Sequence, residues 1–188
     1  VPAAQTMNED GSLTFSVANG NAISIADVDA GSSNVQVTLA VTNGVLTLAG
    51  TSGLTVSGNG TATVTVTGTL ANINAAINGL VFQPTGNFNG SANLTVTTND
   101  QGNTGSGGPL SDVDTVAITV NAVNDAPVNT VPAAQTMSED GSLTFSSANG
   151  NAISIADVDA GSSNVQVTLA VTNGVLTLAG TTGLTVSG

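Results

Sequence analysis

Every ionisable side chain in this 188-residue chain is an acid. Glu9, Asp10, Asp27, Asp29, Asp100, Asp112, Asp114, Asp125, Glu139, Asp140, Asp157 and Asp159 make up all 12 carboxylates, against no Lys, Arg or His. The acids fall in tight groups rather than scattering as solubilising charge would. Clustered carboxylates repel one another, and with no basic side chain in the chain they require another cation. Hard oxygen donors of this kind suit Ca²⁺, so the chemistry expected of the chain is calcium binding.

The acid groups recur because the sequence does. Residues 1–58 reappear as 131–188, with only Asn8→Ser138, Val17→Ser147 and Ser52→Thr182 differing. A period of 130 residues suits a whole domain, since solenoid units run to ~20–50 residues. The chain therefore reads as a nearly complete repeat, 1–125, followed by the N-terminal half of the next, 126–188. It is expected to be a window on a longer array.

Composition narrows the class. The chain is 40% hydrophobic but 2% aromatic, its apolar content being Val, Ala, Leu and Ile among Thr, Ser, Asn and Gly. That mixture favours short strands and turns. With no Cys, disulfides and thiolate metal sites are excluded. Without Lys, a Lys–Asn isopeptide staple is excluded too, which leaves metal binding as the remaining cross-link. No run approaches the ~20 apolar residues of a membrane span. A net charge of −12 argues against nucleic acid and anionic membranes as partners.

The elements that must carry the acids are mostly strands. Period-2 alternation marks Val35, Val37, Leu39 and Val41; Ala62, Val64 and Val66; Ala92, Leu94 and Val96; and Val116, Ile118 and Val120. Leu13 with Phe15, Ile23 with Ile25, and Leu46 with Leu48 add shorter runs. Turn signals stand at Asn19-Gly20, Asn43-Gly44, 58–60 and 105–109. Leu70, Ile73, Ile77 and Leu80 follow helical spacing, with Thr69 to cap the start and Asn78-Gly79 to stop it. Many strands with one short helix per period predict an all-β protein of tandem antiparallel β-sandwich domains. Residues 122–127 are the expected linker.

Three places resemble a known family. Ser138-Glu139-Asp140-Gly141 through Asp157-Val158-Asp159-Ala160-Gly161 resembles the opening of a cadherin repeat, an early Glu followed one strand later by Asp-x-Asp. Residues 94–100, ending in Asn99-Asp100, resemble the cadherin strand that ends in Thr-Asp. Residues 118–127, with Val123-Asn124-Asp125-Ala126-Pro127, resemble its linker. The period as a whole is similar to the cadherin-like, Ig-like repeats of very large bacterial surface adhesins. That resemblance implies a cell-surface, extracellular adhesion or filament protein with Ca²⁺ at each domain junction. The implied ligands are Glu9, Asp27, Asp29, Asp100, Asn124, Asp125, Glu139, Asp157 and Asp159. Sandwich geometry supports the grouping: Glu9 and Asp10 lie at one end of a repeat with Asp125, and Asp27, Asp29, Asp100, Asp112 and Asp114 at the other. Asp10, Asp112, Asp114 and Asp140 are equally accountable as turn residues accepting backbone N–H bonds. The sequence departs from the family where Ala122 replaces a linker Asp, where no Asn follows Asp125, and around 87–90, which lacks the Asp-Arg-Glu acids. Roughly one or two ions per junction are expected, each needing 6–8 oxygens.

The function expected is a spacer: stiff domains stacked in an array, with neighbouring repeats of the same chain as partners. Self-assembly into a fibre, sheath or surface layer is the alternative, since exposed sheet edges invite pairing. An enzyme is not expected, because His, Cys, Lys, Arg and Tyr are all absent. A carboxylate pair could act on glycosides, but a sugar site without Trp or Tyr has no aromatic platform. Matches to the Asn-x-Ser/Thr triplet at Asn59, Asn89 and Asn93 are expected by chance in so Asn- and Thr-rich a chain.

Overall fold

The computed structural model describes residues 1–103 and 106–188. The turn expected at 105–109 begins at Gly105, which lies outside the described residues. The chain divides into two compact units, Val1–Asn124 and Asp125–Gly188. It is mostly β, with 33% strand, 4% helix and several sheets.

The first unit holds nine strands and one helix among its described residues. β1 (Gln5–Asn8), β3 (Asn34–Val41), β5 (Thr55–Ser57), β6 (Thr63–Thr69), β8 (Gly90–Asn99) and β9 (Ser111–Asn121) form one sheet in the order β1-β9-β8-β3-β6-β5. β2 (Leu13–Phe15), β4 (Gly44–Thr47) and β7 (Leu80–Pro84) form a second sheet in the order β2-β7-β4. Both sheets feed one core. Val37, Leu39, Val64 and Leu94 from the first meet Phe15, Leu46 and Phe82 from the second, all with no exposed surface.

The alternations are the cause of this layering. In β3, Val35, Val37, Leu39 and Val41 turn inward while Gln36, Thr38 and Ala40 stay half-exposed, as a period-2 strand requires. β6, β8 and β9 repeat the pattern. α1 (Leu70–Ile77) carries the chain from one sheet to the other. The Thr69 hydroxyl accepts the Asn72 N–H at its start, and the Asn78 N–H closes the last turn onto the Asn74 carbonyl. Gly79 follows at φ +115°, a conformation few other residues adopt.

Three expectations are corrected. The larger sheet is not wholly antiparallel: β1 runs parallel to β9, with Gln5 opposite Ile118 and Asn8 opposite Asn121. Leu80, the last position of the helical spacing, opens β7 instead, because the helix stops at Asn78-Gly79. Ile23 and Ile25 form no strand in the first unit. Ile25 instead has both its N–H and its carbonyl bonded by the Asn74 side chain, each at 2.8 Å.

The second unit contains β10 (Val128–Thr130) and β11 (Ser154–Ala156), paired antiparallel with Val128 opposite Ala156. Residues 164–171 have the same sequence as β3 yet form no strand, and Val165, Val167, Leu169 and Val171 stand about half exposed. In the first unit β3 is hydrogen-bonded on one side to β6 and on the other to β8. Among the described residues, 164–171 pair with no strand.

Candidate functional site

The acids take up three kinds of position. Glu9 is buried, with 3% exposure. Its backbone N–H donates to the Asn121 carbonyl at 2.9 Å, extending the β1–β9 ladder. Its carboxylate accepts the Val123 N–H at 2.7 Å and the Asn89 amide at 3.3 Å. Glu9 therefore anchors the segment leaving β9. Asp10, at φ +60°, accepts the Asn87 N–H at 3.2 Å. Both belong to the end of the sheet where β9 finishes.

The opposite end collects the other group. Asp100 follows β8, and its carboxylate accepts N–H bonds from Gly102 and Leu110, both at 2.8 Å. Asp112 and Asp114 lie at the start of β9, opposite Thr98 and Val96. Their parity is that of the core residues Val116, Ile118 and Val120, but both acids are exposed. They prolong the inner face of the sheet beyond the core. Asp27 and Asp29 precede β3, whose first residue accepts the Asn103 amide from the turn that follows Asp100. The Asp27 carboxylate accepts the backbone N–H groups of Asp29 and Ala30, both at 3.1 Å. Those bonds, the Asp29 N–H foremost, hold the Asp27 carboxyl below the usual aspartate range against a smaller opposing effect of desolvation.

In the second unit, Asp157 repeats this turn and accepts the N–H groups of Asp159 and Ala160, both at 3.0 Å. The Asp159 carboxylate in turn accepts the Asp125 N–H. The β10–β11 pairing explains this meeting: Val128 opposite Ala156 puts the chain just before β10 beside the chain just after β11. Asn124 stands next to Asp125 in sequence. Glu139 is exposed, unlike Glu9, because the residues that bury Glu9 are Asn89 and the chain after β9. Asp140 keeps the positive φ of Asp10, at +59°.

The residues anticipated from sequence thus occupy the two ends of the first unit and, in the second, one bonded trio, Asp125, Asp157 and Asp159, with Glu139 and Asp140 exposed apart from it. Among the described residues, no three acids converge closely enough to form a metal-ligating group. The donors are oxygen-only and suited to a hard cation; several of them are engaged with backbone N–H groups. Asn74 and Asn89, which tie a loop and a buried acid into place, carried no signal beyond being Asn in a chain full of Asn. No helix among the described residues is long and apolar enough to cross a membrane. No protein-family model, no curated protein and no solved structure matches the chain.

Proposed function

We propose that the 130-residue period is a cadherin-like, Ig-like β-sandwich repeat of an extracellular surface array, stiffened by Ca²⁺. The observation that carries this reading is the placement of the acids. They leave the middle of the first unit and gather at its two ends, and in the second unit Asp125 is bonded into the Asp157–Asp159 turn. Acids distributed for solubility alone would have no reason to avoid the long strand faces, which are Thr-rich instead. Two sheets sharing one core support the sandwich class.

Ca²⁺ would have to draw Asp125, Asp157 and Asp159 closer together than they now stand, with Asn124 adjacent in sequence, and water to complete its shell of about 6–8 ligands. When bound it neutralises carboxylates that have no base to do so. The chain's own part is to hold Asp157 and Asp159 in a rigid Asx-type turn and to tie Asp125 to it.

Calorimetric titration of Ca²⁺ into a protein of two complete periods tests this. Saturable binding with a raised melting temperature, lost in Asp125→Ala and Asp157→Ala, is the expected result. Absence of binding would reduce the acids to turn residues. A second reading, self-assembly into a filament or sheath, is favoured by the edge strands β1 and β5 of the larger sheet.

A further inference from the structure

The path of the chain through the first unit decides how that unit carries tension. Residues 1–4 lead into β1, and β9 leads out through 122–124. The two strands lie side by side and parallel, in register from Gln5 opposite Ile118 to Asn8 opposite Asn121. The entering chain therefore meets the pair at its Gln5 end, and the leaving chain departs at its Asn121 end. A pull on those two segments draws β1 and β9 along their own axes in opposite directions. The bonds of a parallel ladder are evenly spaced, so under that load they share the force and must give way together. A pull across the strands would open them one at a time.

We infer that the β1–β9 pair is a shear clamp, the force-bearing contact of each repeat. This rests on the reading of the period as a unit of an extended array, in which each repeat is held by both ends. The Asn121 end of the pair is locked by side chains as well as by the ladder. The Glu9 N–H donates to the Asn121 carbonyl at 2.9 Å, one step beyond the registered residues, and the Glu9 carboxylate accepts the Val123 N–H at 2.7 Å. The Asn121 amide donates to the Asn8 side chain at 3.3 Å. Glu9 is buried and braced by the Asn89 amide, which keeps water from these bonds.

The neighbouring ladder makes β1 the strand that must move. β9 is paired with β8 from Ser111 opposite Asn99 to Val120 opposite Gly90, and it buries Val116, Ile118 and Val120 in the core. β1 is an edge strand of four residues, with Met7 as its apolar contact with that core. Forced unfolding follows the unfolding rate rather than the equilibrium stability. The short pair therefore sets the resistance, although the ladders behind it are longer.

The clamp is bypassed when both points of attachment lie at one end of the pair. Leu110 stands just before β9, at the end from which the chain enters β1. Tension between residues 1 and 110 peels β1 from Gln5 onward and reaches Glu9 last.

Optical-tweezers unfolding of the full chain tests this, with chelator present so that the outcome does not depend on calcium. The chain has no cysteine, so thiol handles go only where they are introduced. Val1, Leu110 and Ala126 are exposed. Val1→Cys with Ala126→Cys brackets the first unit and loads the pair in shear, whereas Val1→Cys with Leu110→Cys peels it. At one loading rate the first geometry is expected to rupture at the higher force, and an equal or lower force overturns the inference. Glu9→Ala, added to each, is expected to lower the shear force and leave the peeling force unchanged. An equal loss in both geometries would make Glu9 a general stabiliser of the fold and would overturn the clamp, as would no loss in either. The comparison without Glu9→Ala decides by itself if that variant does not fold. Failure here leaves the calcium titration of the preceding proposal standing, and absence of calcium binding leaves the clamp standing.

Discussion

At the scale of single residues, the carboxylates of Glu9, Asp10, Asp27, Asp100, Asp157 and Asp159 accept backbone N–H groups, as anchors or turn-formers. Asp100 shows what this means for mutation. Its oxygen holds the Gly102 and Leu110 N–H groups, both exposed, so Asp100→Ala should destabilise by about 1 kcal/mol, the net worth of bonds that water can replace. Asp100→Asn keeps an acceptor oxygen and should retain most of that stability, yet lose charge for any cation. Chemical denaturation of the two variants, set beside their calcium titrations, separates the structural role from the proposed metal role. Asp27 makes a prediction about pH. Its carboxyl is held below the ordinary value of about 3.9, so the folded state favours the ionised form. The stability it contributes is fully present above about pH 4 and declines as pH falls through the lower folded value. An NMR titration of its side-chain carboxyl should give a midpoint below that of an aspartate in a short peptide. A midpoint at or above the peptide value would remove the N–H bonds as the cause.

At the scale of elements, substitutions should be most costly in the strands that supply the buried core. Leu94 is fully buried in the core, and Leu94→Ala should cost about 2–5 kcal/mol through lost transfer energy and the cavity left behind. The cap of α1 is a smaller effect: Thr69→Ala removes the acceptor for the Asn72 N–H and should cost about 1 kcal/mol. Urea denaturation midpoints measure both, with the larger shift expected for Leu94→Ala. The helix was readable from sequence because its signals are local: a threonine cap, the apolar residues Leu70, Ile73 and Ile77 at helical spacing, and an Asn-Gly stop. Strands β3, β6, β8 and β9 were readable from their alternation. The parallel β1–β9 pair was not. Gln5, Thr6, Met7 and Asn8 show no apolar alternation, and the partner lies more than 100 residues away.

At the scale of the whole molecule, the buried core lies in the first unit. The first unit carries the buried cluster, while the second leaves Val175, Leu184 and Val186 exposed along with its strand-forming residues. Calorimetric unfolding should therefore return an enthalpy near 85 kcal/mol at 60 °C, that of about 124 residues, rather than about 130 kcal/mol for the entire chain. The larger figure would mean that both units melt as one cooperative structure.

The duplicated segment separates what sequence alone determined from what the tertiary structure decided. Local features appear in both copies. Ser16 and Ser146 each donate a backbone N–H to an asparagine five residues on, at 2.9 Å in both cases. Asp27 and Asp157 make the same turn, and Asp10 and Asp140 share a left-handed backbone. These rest on bonds spanning a few residues, which any copy of the sequence can make. Sequence likewise revealed the acid-only chemistry, the period and the β class. It did not decide which copy becomes a sheet. Val-Gln-Val-Thr-Leu-Ala-Val is a buried central strand from 35 and exposed chain from 165, because a strand's hydrogen bonds and its apolar face must both be met by distant residues. For the first copy those residues are 63–69 and 90–99. The burial of Glu9 against the exposure of Glu139 has the same origin: Asn89 and Val123 enclose one acid and not the other.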